Sequence, residues 1–220
     1  MRVCCLYSGG KDSNFSLFLA HSFGWEMDSL VCVLPQEDSY MFHKINTSFC
    51  KYQALALELP FFEVNAENKD ELETLKKFLE KKEIDGIVTG AVNSEFQKQR
   101  FDVICEELGI KSFGPMWHKN PEKILEEEIE SGHEIIITQV SCEGLNMDWL
   151  GKKIDLENFE ILKKLSKKYG FNIHGEGGEY ETFVLDGPLF KKKIKIEDFE
   201  ILHGALTGML KIKKVKLVRK

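Results

Sequence analysis

The sequence lacks any long apolar run. No stretch approaches the roughly 18 consecutive apolar residues that a membrane-spanning helix requires. The N-terminal residues have the pattern of a buried strand, without the features of a signal peptide. We therefore expect a cytoplasmic protein that has no membrane partner.

Closely paired cysteines are also missing. None of the six cysteines forms a Cys-x-x-Cys pair, and most lie in apolar strand or helix patterns. We interpret them as reduced core thiols. A catalytic or zinc-bound cysteine is the alternative. The six are Cys4, Cys5, Cys32, Cys50, Cys105 and Cys142.

An excess of basic residues is absent as well. The formal net charge is −6, so the chain as a whole is not built to coat nucleic acid, and we do not expect nucleic acid as a partner. The 220 residues are 43% hydrophobic and 30% charged, which is typical of a soluble globular protein. This length fits one large domain or two small ones.

Two well-known phosphate-binding patterns are missing, the Walker A loop and the dinucleotide fingerprint Gly-x-Gly-x-x-Gly. The chain instead contains the run Ser8 to Ser13 between a short apolar stretch and a helical pattern. Backbone N–H groups and the positive end of the helix dipole converge at such a turn, which predicts a phosphate site. A Gly-Gly turn before an ordinary helix is the alternative. The run resembles the PP-loop of the ATP pyrophosphatase superfamily, whose members cleave ATP between the α and β phosphates.

The residue types of this PP-loop suit a bound phosphate. Gly9 and Gly10 allow a sharp turn and a close approach of the backbone to a ligand. Lys11 adds a positive charge, and Asp12 can hold a metal that rides on the phosphates. Hydroxyl hydrogen bonds can come from the two residues that frame the loop, Ser8 and Ser13.

Strand and helix patterns alternate through the first half of the chain. This alternation predicts an α/β fold with a parallel sheet and helices on both faces. Ligands in such sheets bind at the carboxyl ends of the strands, where the PP-loop lies. Gly114-Pro115 breaks the pattern, so we divide the chain into an ATP-binding domain of residues 1–115 and a smaller substrate-binding α+β domain of residues 116–220.

A lysine-rich strand pattern closes the second region. Apolar residues alternate from Leu210 onward, and the alternation slips by one at Lys213-Lys214, which predicts a β-bulge. An exposed strand whose lysines block edge pairing is one interpretation. A basic docking face for a partner is the alternative.

The run Gly175 to Thr182 places three glutamates among three glycines. We expect neither a helix nor a core strand here, but a loop that is tethered to the core by its apolar flanks. Clustered carboxylates suit a cation, a metal, or proton abstraction from an amine. An acidic surface turn is the alternative. The three glutamates are Glu176, Glu179 and Glu181.

The segment from Gly90 to Arg100 begins at a strand end and should lie on the same edge as the PP-loop. Ser94 and Gln97 form a capping-box pattern for the helix that follows. Arg100 lies three residues after Gln97 on one helix face and could meet a phosphate or a carboxylate. A solvated helix face is the alternative. A loop that carries Tyr40 and His43 follows the second strand.

Taken together, these motifs resemble the diphthine–ammonia ligase family over nearly the whole chain. The run Gly175 to Phe183 is the most specific part of the resemblance. Phe96 departs from it, because a tyrosine is expected there. The resemblance also covers residues 8–13, 38–41 and 90–100, Trp117, and residues 150–152, 165–170 and 185–193.

This resemblance implies a Rossmann-like sheet of the adenine nucleotide alpha hydrolase (HUP) type and an ATP-dependent, AMP-forming carbon–nitrogen ligase. The substrate carboxylate of diphthine, a modified histidine on translation elongation factor 2, would attack the α phosphate of ATP. Ammonia would then displace AMP to give diphthamide. The chain has no room for a glutaminase domain, so free ammonium is the expected nitrogen source. The sequence is compatible with a homo-oligomer.

The resemblance also implies residue roles. ATP would be held by Ser8, Gly9, Gly10, Lys11, Asp12, Ser13, Gly90 and Gln97, with Mg²⁺ on Asp12. Catalytic roles would fall to Lys11, Asp12, Arg100, Glu176, Glu179 and Glu181, the glutamates binding either ammonium or the trimethylammonium group of diphthine. Substrate contacts would come from Tyr40, Ser94, Trp117, Gly177, Gly178, Tyr180 and Thr182, with cation–π contact from Tyr180 or Trp117.

Two other functions fit parts of the sequence. A PP-loop tRNA-modifying enzyme would share the loop, but its usual catalytic cysteine or zinc ribbon and a basic surface are not evident. A non-catalytic adenine-nucleotide sensor would explain the PP-loop and leave the glutamate-rich run without a purpose.

Overall fold

The structure is a computed structural model of the chain that describes residues 1–34, 46–66, 69–204 and 207–220. Among these residues, none of the helices combines the length and the apolar character needed to cross a membrane. The predicted loop with Tyr40 and His43 lies outside the described residues.

The first sheet contains five strands, β1 (Arg2–Leu6), β2 (Glu26–Leu34), β3 (Phe61–Asn65), β4 (Gly86–Val88) and β5 (Lys111–Phe113). They lie in the order β3-β2-β1-β4-β5, and every neighbouring pair is parallel. This confirms the predicted parallel sheet. The order reverses between β1 and β4, so a crevice opens at the carboxyl ends of these two strands.

Helices cover both faces of this sheet, as the alternation predicts. Successive side chains of β1 point to opposite faces. Cys5 packs in one core cluster with Leu17, whereas Cys4 packs in another with Leu75 and Ile104. The four helices are α1 (Lys11–Ser22), α2 (Cys50–Leu57), α3 (Glu71–Leu79) and α4 (Glu95–Leu108).

The second half of the chain forms an antiparallel sheet with two helices. Its elements are α5 (Pro121–Glu130), β6 (Glu134–Val140), α6 (Leu156–Tyr169), β7 (Tyr180–Asp186), β8 (Lys193–His203) and β9 (Gly208–Val218). The strand order is β7-β6-β9-β8. This confirms the predicted α+β character of the C-terminal part.

The lysine-rich strand β9 is not the edge of this sheet. Its first two residues, Gly208 and Met209, pair with β6, whereas the lysine-rich part of β9 pairs with β8, which forms the edge. The predicted bulge is present, because Lys214 lies opposite Asp198 while Ile212 lies opposite Phe199. The lysines of β9 form ion pairs with acidic residues of β8, such as Lys214 with Glu197 at 3.0 Å. These ion pairs place lysines of β9 opposite acidic side chains of β8, and the basic docking face stays a prediction.

The two sheets share one core. The cluster that contains Cys5 and Leu17 from the first half also contains Ile137 and Phe183 from the second. The backbone N–H of Val184 donates to the carbonyl of Gly9 at 3.1 Å. Strand β7 therefore lies directly against the PP-loop.

His133 is a buried histidine between α5 and β6. Its residue exposure is 6%, and its Nδ1 lies 2.7 Å from Ser131 Oγ. The rings of Phe15 and Phe18 meet it edge to face at centroid distances of 6.0 Å and 5.8 Å. Burial lowers the pKa of His133 from 6.5 to about 4.

This pKa predicts a loss of stability in mild acid. The unfolded chain binds a proton at His133 at higher pH than the folded chain does. The contribution of neutral His133 is therefore fully present above about pH 6.5 and is lost as the pH falls towards about 4. It amounts to roughly 3 kcal/mol. Urea unfolding from about pH 7.5 to about pH 4.5 should show a steeper loss for the native sequence than for His133→Phe. Parallel pH dependences would contradict this assignment.

Candidate active site

A cavity of about 360 Å³ opens at the carboxyl ends of β1 and β4, where the strand order reverses. Its walls include the PP-loop, the segment after β4, and the run from Gly175 to Thr182. The structure therefore brings together stretches that are more than 160 residues apart. The lining includes Ser8, Gly10, Lys11, Asp12, Ser13, Gly90, Ser94, Gln97, Glu176, Gly177, Gly178, Tyr180, Glu181 and Thr182.

The PP-loop turns at Gly9, whose φ is 81°, a value that favours glycine. The Nε2 of Gln53 donates to the Gly9 carbonyl at 2.9 Å and to the Val184 carbonyl at 2.7 Å. A Cβ on Gly9 would lie 2.6 Å from Oε1 of the same glutamine. Gly9 thus lies behind the cavity wall and joins the loop to α2 and β7.

Hydroxyl groups fix the rest of the loop. Thr182 Oγ1 accepts a hydrogen bond from the Lys11 backbone N–H at 3.1 Å. The Gly10 N–H donates to Ser8 Oγ at 3.4 Å, and Ser13 Oγ donates to the Gly10 carbonyl at 3.1 Å. In this conformation Thr182 of β7 therefore accepts a hydrogen bond from one of the backbone N–H groups that are predicted to bind phosphate.

The Lys11 side chain is buried, with an exposure of 3%. Its Nζ donates to Asp12 Oδ1 at 2.7 Å and lies 3.4 Å from His174 Nδ1. His174 Nε2 lies 3.2 Å from Asp12 Oδ1 and 3.4 Å from Glu128 Oε1. We call Lys11, Asp12, Glu128 and His174 the buried cluster.

Electrostatics within the buried cluster favour a Lys11–Asp12 ion pair. Burial opposes the charge on Lys11, but the Asp12 and Glu128 carboxylates outweigh it and raise the pKa of Lys11. Burial likewise opposes the charge on Asp12, but the Lys11 ammonium outweighs it and lowers the carboxyl pKa of Asp12. At Glu128 burial dominates and raises the carboxyl pKa.

Asp12, Glu128 and His174 also offer donor atoms that lie within 4.8 Å of one another, which is the spacing of a metal site. The set does not suit Mg²⁺ as a cage, because this ion prefers oxygen ligands and the Lys11 ammonium already bonds Asp12. Asp12 lines the cavity. Since Mg²⁺ is commonly held by one or two carboxylates together with phosphates, Asp12 fits an ion carried by the phosphates of a ligand.

The predicted loop from Gly175 to Thr182 is a loop only up to Glu179. Residues from Tyr180 onward belong to β7, so the expectation of no core strand in this run is wrong. The side chains of Tyr180 and Phe183 are buried in the core. In the sequence, the nearby glutamates and glycines make the apolar residues of this strand difficult to recognise.

Two of the three glutamates hold loops together. The Glu176 carboxylate accepts from the backbone N–H groups of Val92 and Asn93 at 3.0 Å and 3.1 Å. The Glu179 carboxylate accepts from those of Asn172 and Gly177 at 3.0 Å and 2.8 Å. Glu176 therefore fastens the glycine-rich loop to the segment after β4, and Glu179 fixes the loop's own shape.

Glu181 and Tyr180 differ in what they offer to the cavity. Glu181 projects from β7 and lines the cavity. Tyr180 is only 2% exposed, and its hydroxyl donates to the Ile173 carbonyl at 2.6 Å. The Tyr180 ring is thus a buried packing group in this conformation, and not an open face for a cation.

The structure does not bring Arg100 or Trp117 to the cavity. The Arg100 guanidinium lies 3.3 Å from the centroid of the Phe96 ring and donates to the Phe96 carbonyl at 3.0 Å. It lines a separate surface groove between α3 and α4. Trp117 stacks on His118 with a centroid distance of 4.5 Å. The proposed substrate residue Tyr40 lies outside the described residues.

Gln53, Glu128 and His174 are site residues that sequence reasoning missed. A signal for Glu128 was present, because it follows Ile124 by four positions and so falls on the apolar stripe of its helix. Gln53 similarly follows Cys50 by three positions within the buried face of α2. His174 stands just before the glycine-rich run, and no residue pattern around it in the sequence indicates that it belongs to the site.

The cysteines are mostly buried as well. Five of the six are buried and Cys142 is partly buried, in agreement with the prediction of core thiols. Burial raises the pKa of Cys4 to about 11 and that of Cys105 to about 12. Such thiols are poor nucleophiles at neutral pH.

Comparisons with known proteins agree with this geometry. Residues 1–112 match the family profile of the Diphthamide synthase N-terminal domain, and residues 120–218 match that of the Diphthamide synthase C-terminal domain. The chain is 37% identical to diphthine–ammonia ligase of Bos taurus and 36% identical to that of Homo sapiens, in each case over 93% of this chain and 86% of the relative. The corresponding ligase of Danio rerio is 35% identical over 98% of this chain and 96% of the relative.

A Rossmann-like sheet with a glycine-rich loop at its switch point, closed by a strand of a second sheet, defines an α/β protein whose cavity lies at the carboxyl ends of its parallel strands. The matches to both domains and to full-length relatives are more specific. The chain belongs to the diphthine–ammonia ligase family.

The packing at Gly9 gives a direct prediction. Gly9→Ala places a Cβ 2.6 Å from Gln53 Oε1 and 2.9 Å from Cys50 Sγ, whereas a Cβ on Gly24 meets nothing within 4 Å. The two glycines have similar φ values, 81° and 74°, so an alanine introduces a similar backbone strain at either position. Gly9→Ala should lower the free energy of unfolding by about 1–3 kcal/mol more than Gly24→Ala does. Urea unfolding measures both, and equal losses would contradict the packing described here.

Proposed function

We propose that this chain catalyses the ATP-dependent amidation of diphthine on translation elongation factor 2 to diphthamide, with ammonium as the nitrogen source. The observation that carries the proposal is the contact between the PP-loop and β7. Thr182 Oγ1 bonds the Lys11 amide, and Glu181 lines the same cavity as the PP-loop. Membership of the diphthine–ammonia ligase family supports the choice of acceptor.

The first step is transfer of the adenylyl group. An oxygen of the diphthine carboxylate attacks the α phosphorus of ATP, the bond to the bridging oxygen breaks, and pyrophosphate leaves. The PP-loop amides and Lys11 stabilise the charge that develops on pyrophosphate, an electrostatic contribution that is usually large. Asp12 would hold Mg²⁺, which supplies further neutralisation of the phosphates.

The second step forms the amide. Ammonia attacks the acyl carbon of the mixed anhydride, AMP leaves with the oxygen that came from the carboxylate, and the nitrogen loses a proton. Glu181 is the carboxylate best placed to bind ammonium and to accept that proton, because it projects from a fixed strand into the cavity. Glu176 and Glu179 support this step by shaping the loop around the cavity.

Product analysis tests the reaction. The chain is incubated with ATP, Mg²⁺, ¹⁵N-ammonium and elongation factor 2 that carries diphthine labelled with ¹⁸O in its carboxylate. We expect equal amounts of AMP, pyrophosphate and ¹⁵N-diphthamide, with one ¹⁸O in AMP. Formation of ADP, or absence of ¹⁸O from AMP, would exclude the adenylate.

The same assay separates the alternatives. A nucleotide sensor would form neither AMP nor pyrophosphate, and a tRNA-modifying enzyme would require RNA in place of the protein acceptor. Replacing ammonium by glutamine should abolish turnover. Turnover with glutamine but not with ammonium would show that the proposed nitrogen source is wrong.

Lys11 and Arg100 provide a matched pair of cationic residues for mutagenesis. Lys11→Met should lower kcat/KM for ATP by about 10²–10³-fold, since it removes a positive charge from the phosphate site. Arg100→Met should change it by less than about threefold, because Arg100 packs on Phe96 outside the cavity. Steady-state kinetics measure both effects. A loss at Arg100 as large as that at Lys11 would mean that the Arg100 side chain moves into the site.

A further inference from the structure

Two members of the buried cluster have no role in the reaction steps above. Glu128 and His174 each have an exposure of 0%. Both come from the second half of the chain, Glu128 from α5 and His174 from the segment before the glycine-rich loop. Neither residue lines the cavity, whereas Lys11 and Asp12 do.

The contacts form a continuous path from Glu128 to Lys11. Glu128 Oε1 lies 3.4 Å from His174 Nε2, and His174 Nδ1 lies 3.4 Å from Lys11 Nζ. An ammonium can only donate, so Nδ1 of His174 is the acceptor and Nε2 carries the proton. That N–H faces Glu128 Oε1 and Asp12 Oδ1, two acceptors. His174 therefore connects the carboxyl group of α5 to the cation of the PP-loop.

Keeping a carboxyl group at this position costs stability. Glu128 Oε2 is buried without a hydrogen-bond partner in the described structure, and an unsatisfied buried polar atom is unfavourable. Ile124 and Leu125 occupy the same stripe of α5 and are buried. An apolar residue at position 128 would continue this stripe at lower cost, so packing alone does not explain a glutamate there.

We infer that Glu128 and His174 are positioning residues that hold the Lys11 ammonium in place for the phosphates of ATP. His174 limits where Nζ can lie, and Glu128 fixes the ring of His174 in the required orientation. Neither residue contacts the cavity, so both act through Lys11. The inference rests on the proposed function only in assigning Lys11 to ATP.

A double-mutant cycle on ATP affinity tests this inference without any acceptor substrate. Glu128→Leu should weaken ATP binding by about tenfold in the native background and by less than about twofold in the Lys11→Met background. Glu128→Gln keeps an acceptor oxygen for His174 Nε2 and should restore affinity to within about threefold of the native value. Isothermal titration calorimetry gives the dissociation constants.

Folding controls separate positioning from a merely structural role. Leu125→Ala, on the same buried stripe, should lower the free energy of unfolding while leaving ATP affinity unchanged within about twofold. If Glu128→Leu does not fold, His174→Asn serves in its place, because it keeps a polar group near Lys11 and breaks the link to Glu128. It should likewise weaken ATP binding in a manner that is not additive with Lys11→Met.

The inference is overturned if Glu128→Leu and His174→Asn leave ATP affinity unchanged or act additively with Lys11→Met. It is also overturned if Glu128→Gln is as harmful as Glu128→Leu. Failure of the proposed function is a different result: the native chain would bind ATP with the predicted coupling but form no AMP with the diphthine substrate.

Discussion

The hydrogen bond from the Val184 amide to the Gly9 carbonyl, at 3.1 Å, is the contact on which the site depends. It fastens a strand of the second sheet to the turn that follows the first strand of the first sheet. Gln53 reinforces the contact by donating to the carbonyls of both residues. Because β7 is fixed there, Thr182 and Glu181 reach the cavity. A glycine at position 9 is required for the close approach of Gln53 and Cys50 from α2.

A second constraint is the burial of charge beside this contact. The Lys11 ammonium is almost inaccessible to solvent and is neutralised by Asp12 in the same loop. Placing such a pair in the interior is stable only when the remaining hydrogen-bonding groups are satisfied. His174 provides part of that environment from the other half of the chain, because its ring faces both Lys11 and Asp12. The two halves are therefore joined by polar groups at the site as well as by the shared apolar core.

Local patterns predicted much of this structure, and long-range packing supplied the rest. The parallel sheet, its helices and the capping of α4 by Ser94 follow from periodicity and from residue types at helix ends. The same reasoning placed Arg100 near phosphate from helix position alone, yet stacking on Phe96 directs it to another surface. Glu128 lies in a run of three glutamates, and only its position on the buried stripe of α5 distinguishes it from its neighbours. The prediction that residues 1–115 and 116–220 form two domains stays a prediction, since the core runs through both.

The central claim is that the PP-loop and β7 build one site in which the α phosphate of ATP meets the acceptor. A crystal structure of the chain with a non-hydrolysable ATP analogue and Mg²⁺ tests it most directly. We expect the triphosphate on the PP-loop, with the α phosphate facing Glu181 across a gap that one substrate side chain can span. A nucleotide bound in the groove beside Arg100, or an α phosphate too far from Glu181 for one substrate side chain to bridge, would contradict it.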